Sequence, residues 1–65
     1  MAEDRARTQA KQNAAECRDR AARYEMLAAE ASQRGEIQIS IDLTSKAAEE
    51  LAEANRIEEE IRNLE

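Results

Sequence analysis

Carboxylates are the most numerous residues of this chain that could do chemistry. Glu49 and Glu53 stand four residues apart, and three glutamates follow one another at 58–60. Paired carboxylates hold di-metal centres in helical bundles, but those centres add histidine from a Glu-x-x-His motif, and this chain has no histidine. Acid–base use in a glycosidase needs a pocket, which a thin bundle rarely offers. We therefore interpret Glu49, Glu53 and Glu60 as a solvated outer face, and we call these three residues the acidic stripe.

The chain also has one thiol, Cys17, and one phenol, Tyr24. A reactive thiol needs exposure and positive surroundings. Cys17 could be a redox-sensing or intermolecular thiol. Glu16 and Asp19 oppose the positive surroundings that this needs, although Arg18 and Arg20 act the other way. We therefore interpret Cys17 as a small buried apolar residue. Tyr24 could anchor an interface, where tyrosine is enriched, or fill a gap among alanines with its hydroxyl at the edge.

Three cations, Arg7, Lys11 and Arg18, fall on one side of the first predicted helix. They could contact phosphate, as basic helix faces do, but no aromatic residues are interleaved to stack on bases. We prefer the alternative that they form salt bridges to an acidic second helix, including Glu58, each of which adds little stability.

Catalytic constellations are absent from the sequence. No histidine can serve as a general base, no G-x-S-x-G elbow occurs, and the single glycine excludes both a P-loop and a dinucleotide-binding fingerprint. We expect a non-enzyme without cofactor or metal.

The first element that must position these residues is a helix over about 3–33. The segment has no glycine or proline and is rich in good helix formers. Small residues recur in it with steps of four and three, as in a heptad repeat, and Gly35 follows as the C-cap. We call the recurring set the alanine seam, which comprises Ala10, Ala14, Cys17, Ala21, Tyr24, Ala28 and Ala31.

An alternating run follows at 36–43, with Ile37, Ile39, Ile41 and Leu43 separated by polar residues. This period of two favours a β-strand that pairs with a second copy or another protein. Two alternatives stay open, since short runs are ambiguous. The segment could be an extended connection that packs its isoleucines on the helices, or the second helix could begin as early as Ser40.

The second helix is predicted over about 44–64, with Asp42, Thr44 or Ser45 as its N-cap. Its apolar face recurs at helical spacing and comprises Ala47, Leu51, Ala54, Ile57, Ile61 and Leu64. The chain is thus predicted to be a single domain over 1–65. Its fold class is predominantly all-α, a helical hairpin with an extended, β-like connection at 36–43.

The apolar inventory is too weak for a stable monomer. Fourteen of the 65 residues are alanine and one is aromatic, whereas a buried Leu or Ile contributes about 1.5–3 kcal/mol and alanine far less. Small folds are usually stabilised by disulfides, metals or oligomerisation. Because the chain has one cysteine and no histidine, we consider oligomerisation the remaining option. We predict a homo-oligomer, a dimeric four-helix bundle, with an interface formed by Ile37, Ile39, Ile41, Leu43, Tyr24, Leu51, Ile57 and Ile61.

The net charge of −5 is unevenly placed, at +1 over residues 1–34 and −6 over residues 35–65. This disfavours nucleic acids and anionic membranes as partners and suits a basic protein. We expect the acidic stripe of Glu49, Glu53 and Glu60 to be the electrostatic face that attracts such a partner over long range. No leader-like or 18-residue apolar stretch occurs, so we expect a cytoplasmic protein.

We predict a protein-interaction module or regulator. The alternatives are an acidic inhibitor of phage or mobile-element type, acting in the host cytoplasm on a nucleic-acid-handling protein, and a small RNA-binding bundle.

Overall fold

Two long helices form the protein in a computed structural model, which describes residues 2–64 and the side chains of residues 4–64. Helix α1 spans Ala2–Gln33 and helix α2 spans Ile37–Leu64. A three-residue connection at 34–36 reverses the chain, so the helices run antiparallel in a rod whose Cα atoms extend over 51 × 15 × 10 Å. The predicted all-α helical hairpin is confirmed.

The end of α1 is set by Gly35, as predicted. Its φ of 79° lies in the left-handed region, which an L-residue with a Cβ enters only at a cost. The amide of Glu36 donates to the carbonyl of Ala31 at 2.8 Å, and the amide of Gly35 donates to the carbonyl of Ser32 at 3.0 Å. These two bonds form a Schellman motif, which satisfies the last carbonyls of α1 and turns the chain towards α2.

The strand-like prediction for 36–43 was wrong, because α2 begins at Ile37. The predicted N-caps Asp42, Thr44 and Ser45 therefore lie inside the helix, and so does Ser40, the earliest start considered. The first helical bond runs from the amide of Ser40 to the carbonyl of Glu36 at 3.0 Å. A helix satisfies its own backbone groups, whereas a lone strand does not.

Period-two alternation also contains pairs four residues apart, which explains how this run fits a helix. Gln38 Nε2 donates to Asp42 Oδ1 at 3.1 Å, and the hydroxyl of Thr44 donates to the carbonyl of Ser40 at 2.9 Å. The first of these is the side-chain pairing that stabilises helices at that spacing. Each β-branched residue costs only a few tenths of a kcal/mol in a helix, so the isoleucines do not prevent it.

Small side chains form the core between the helices. Ala14, Cys17, Ala21, Ala28 and Ala31 are buried, while Ala10 and Tyr24 are partly buried. These positions confirm the alanine seam of α1. They face a buried face of α2 that repeats every seven residues at Ala47, Ala54 and Ile61.

Burial is most complete at Ala54, which is 0 % exposed and clusters with Ala14 and Cys17. Ile57 packs against this cluster, whereas Leu64, the end of the predicted apolar face, is 66 % exposed. Among the described side chains, none of the large ones is fully buried. The core thus depends on close approach of two backbones rather than on bulky side chains.

This close approach predicts that Ala54→Leu destabilises the hairpin by about 1–3 kcal/mol, because a larger side chain must separate the helices. Ala52→Leu is the matched control, since Ala52 is exposed on the same helix and surface changes stay within about 0.5 kcal/mol. Urea unfolding followed by circular dichroism measures both variants. The protein concentration must be fixed, since self-association would shift apparent stability. Equal unfolding midpoints would show that the seam tolerates a bulkier residue.

Candidate functional site

Large aliphatic side chains remain exposed beside the turn. Leu27, Ile37, Ile39 and Ile41 are 48 %, 57 %, 49 % and 53 % exposed, and neighbouring Leu43 is partly buried. We call these five residues the apolar collar. Single exposed apolar residues are ordinary, but a cluster of them marks an interaction site.

Two interhelical ion pairs show on which side of the hairpin each collar residue lies. Arg20 pairs with Glu50, and Arg18 pairs with Glu58 at 2.5 Å. Arg18 and Arg20 are two positions apart, about 200° around a helix, so the pairs lie on opposite flanks of the hairpin. The buried face of α2 repeats every seven residues, so positions separated by multiples of seven share a flank.

The flank of Arg20 and Glu50 carries three collar residues. Leu27 follows Arg20 by seven residues and Leu43 precedes Glu50 by seven, which places both nearer the turn in an antiparallel hairpin. Ile39 lies one turn before Leu43. This flank therefore continues from an ion pair into apolar surface contributed by both helices.

The flank of Arg18 carries the other two collar residues, both from α2. Arg18 Nη2 donates to Asn55 Oδ1 at 3.2 Å as well as to Glu58. Ile41 precedes Asn55 by fourteen residues, and Ile37 precedes Glu58 by twenty-one. The first turns of α2 are thus apolar on both sides of the hairpin.

The charge of the rod is concentrated at the end away from the turn. Residues 20–48, which include the turn and the whole collar, carry four cationic and four anionic side chains. Residues 1–19 and 49–65 together carry six cationic and eleven anionic side chains, a net charge of −5. One end of the rod is therefore neutral and apolar, and the other is acidic.

Arg18 bridges the helices as the salt-bridge interpretation predicted. Besides Asn55, it contacts Glu58 through both Nη2 and Nε, the latter at 3.3 Å from Oε2. This hydrogen bonding lowers the pKa of Glu58 below its ordinary value, and the charges of Arg18 and Arg62 act in the same direction. Of the other two predicted cations, Arg7 is partly buried and Lys11 is exposed.

Cys17 lies 4 % exposed in the seam, which confirms its interpretation as a small buried residue. Arg20, besides pairing with Glu50, directs Nη2 at Cys17 Sγ at 3.3 Å. One guanidinium therefore joins a seam residue of α1 to a carboxylate of α2. This contact supports the packing of the two helices at that level.

Two of the three residues of the acidic stripe form ion pairs. Glu49 and Glu60 are exposed, and Glu53 is partly buried. Arg56 pairs with Glu53 and, through Nη1, with Glu60 Oε1 at 2.7 Å. The hydrogen bond from Arg56 also lowers the pKa of Glu53.

The predicted interface residues separate into three groups. Ile37, Ile39 and Ile41 are exposed, while Tyr24, Leu43, Leu51 and Ile57 are partly buried. The remaining one, Ile61, is 6 % exposed, so it belongs to the core of its own hairpin.

Sequence reasoning missed Leu27 and also Met26, which is 65 % exposed. They are the large aliphatic residues of α1 and lie off the seam. The signal that could have identified them is that the large aliphatic residues of this alanine-rich helix lie outside its repeating face.

Among the described side chains, no group of three or more Cys, Asp or Glu residues is placed to hold a metal ion. Within residues 2–64, neither helix has a stretch apolar and long enough to cross a bilayer.

We predict that Arg18→Gln raises the pKa of Glu58 towards its ordinary value and leaves that of Glu53 unchanged. Arg56→Gln should do the reverse, so each variant is the control for the other. Carboxyl titration by NMR measures both. A carboxyl whose pKa is lowered in the folded state stabilises the fold above its ordinary pKa, and this stabilisation is lost as pH falls through the lowered value. A Glu58 titration unaffected by Arg18→Gln would contradict the bridge.

Comparison of the chain with protein-family models, with curated proteins and with solved structures finds no match. Its function is therefore inferred from its own side chains and their geometry.

Proposed function

We propose that this protein is a non-enzymatic interaction module that self-associates through the apolar collar into a helical bundle. The observation that carries the proposal is the inversion of the usual arrangement of side chains. Alanines occupy most of the buried seam, while four collar residues are about half exposed. Covering large aliphatic residues is what drives most protein association.

The exposed area supports a partner of ordinary size. The chain exposes 4972 Å², whereas a compact monomer of 7.3 kDa would expose about 4,200 Å². The excess, about 800 Å², follows from the elongated shape of the rod, which leaves ample surface for a standard interface of about 800 Å² per partner. A second copy supplies the same apolar surface and needs no further component.

The acidic end favours a second candidate function, an acidic inhibitor that binds a basic nucleic-acid-handling protein. Its support is the net charge of −5 on residues 1–19 and 49–65, which would attract a basic partner over long range. Affinity for a basic nuclease or polymerase should then fall steeply as salt rises from about 0.05 to 0.5 M, because salt screens exposed charges. Binding that salt does not change would count against this function.

RNA binding has less support, because Arg18 is already engaged by Glu58 and Asn55. One of the three cations on which that alternative depends would have to exchange these partners for phosphate.

Self-association predicts a mass of at least twice 7.3 kDa by light scattering at micromolar concentration. Ile39→Asp should raise the dissociation constant by tenfold or more, because burying an unpaired charge costs several kcal/mol. Glu53→Lys is the comparison, since an exposed pair contributes about 0–1 kcal/mol. Circular dichroism should show that both variants remain helical.

A monomer mass for the folded wild-type chain throughout the micromolar range would exclude self-association. Equal and small effects of the two substitutions would show that the collar is peripheral to the interface.

A further inference from the structure

We infer that copies of this chain meet turn end to turn end, in antiparallel orientation, with their acidic ends pointing away from each other. This inference rests on the proposed self-association and specifies its geometry. Two other arrangements are possible for rods of this shape. In one the copies lie parallel along their full length, and in the other they are antiparallel and overlap completely.

The position of the apolar surface limits the overlap. From Ile37 to the partly buried Leu51, α2 presents large aliphatic side chains over fourteen residues, which is about 21 Å of helix. The rod is 51 Å long. An interface on the flank that both helices form, with Leu27, Ile39 and Leu43, therefore needs less than half of each rod. It leaves Leu64, which is 66 % exposed at the other end, outside the contact.

Charge disfavours parallel alignment. That arrangement would place two ends of net charge −5 side by side at the 8–10 Å separation of packed helices, about one Debye length at physiological salt. The turn ends, where residues 20–48 sum to zero, can approach without this repulsion.

Complete antiparallel overlap is disfavoured by desolvation. It would lay residues 49–65 of one copy, with seven carboxylates and two arginines, against the collar of the other. Those carboxylates would lose water and gain apolar neighbours, which is costly for a charged group. Overlap confined to the turn ends leaves them hydrated.

Spin-label distances test the geometry on the full-length chain. Cys17→Ala removes the buried thiol with a residue that suits the seam. Ser32→Cys and Asn63→Cys, each alone in that background, then place a label on an exposed site near the turn or near the acidic end. Double electron–electron resonance measures the separation of equivalent labels in neighbouring copies, and light scattering on the same samples gives the mass.

Turn-to-turn association predicts about 20–30 Å between labels at position 32 and about 60 Å between labels at position 63, from the rise of 1.5 Å per residue. Complete antiparallel overlap would give about 45 Å at position 32 and about 35 Å at position 63, and parallel alignment under about 30 Å for both. Either result would overturn the inference while leaving self-association intact. A monomer mass would overturn the proposed function, and the inference would fall with it.

Salt dependence gives a second readout that needs no label. Raising NaCl from about 0.05 to 0.5 M should change the dissociation constant by less than about threefold, because the joined ends are neutral and the acidic ends lie several Debye lengths apart. Association that strengthens tenfold or more with salt would show that acidic ends are in contact.

Discussion

Contact between alanines determines most of the other features of this molecule. With Ala14, Cys17 and Ala54 in one cluster, the helices pack through small side chains, which permit a closer approach of the two backbones than leucines would. Close packing makes any added volume costly. Apart from the buried Ile61, the large aliphatic side chains of the described residues therefore lie at the edges of the seam, on the outer surface or near the turn. The isoleucines beside the turn are exposed because the small residues that let the helices pack closely leave no room for them in the seam.

The turn has a second effect on the isoleucine residues. The Schellman motif at Gly35 ends α1, and α2 starts only two residues later, at Ile37. The connection is therefore too short to form an extended segment that packs its isoleucines against the helices. Once the segment is helical, its four aliphatic residues are spread over both flanks, and the narrow seam can cover none of the three isoleucines.

Sequence reasoning predicted the two helices, the seam and the capping glycine correctly because each depends on local rules. A heptad of small residues indicates a buried face, and a glycine after a long helix indicates a left-handed cap. The partnership of Arg18 with Glu58 was also predicted, from charge on facing helices. The structure of 36–43 was not, because Ile37 and Ile41 satisfy both a period of two and a spacing of four. The helix forms because it satisfies its own backbone hydrogen bonds, whereas a lone strand does not.

Ile61 was predicted both on the apolar face of the second helix and at the interface between copies, and the structure places it in the core of its own hairpin. It repeats with Ala47 and Ala54 at seven residues, so it had to face α1, yet its size resembles that of the collar isoleucines. The structure separates them by position around the helix, because Ile61 shares the heptad position of Ala47 and Ala54, whereas the exposed isoleucines lie on the flanks. These exposed isoleucines lie beside the turn, and the net negative charge lies at the other end of the rod. Because most of its exposed aliphatic side chains lie at one end and its net charge lies at the other, the rod has one end suited to desolvation and another suited to water. This polarity gives the molecule a direction in any assembly it forms.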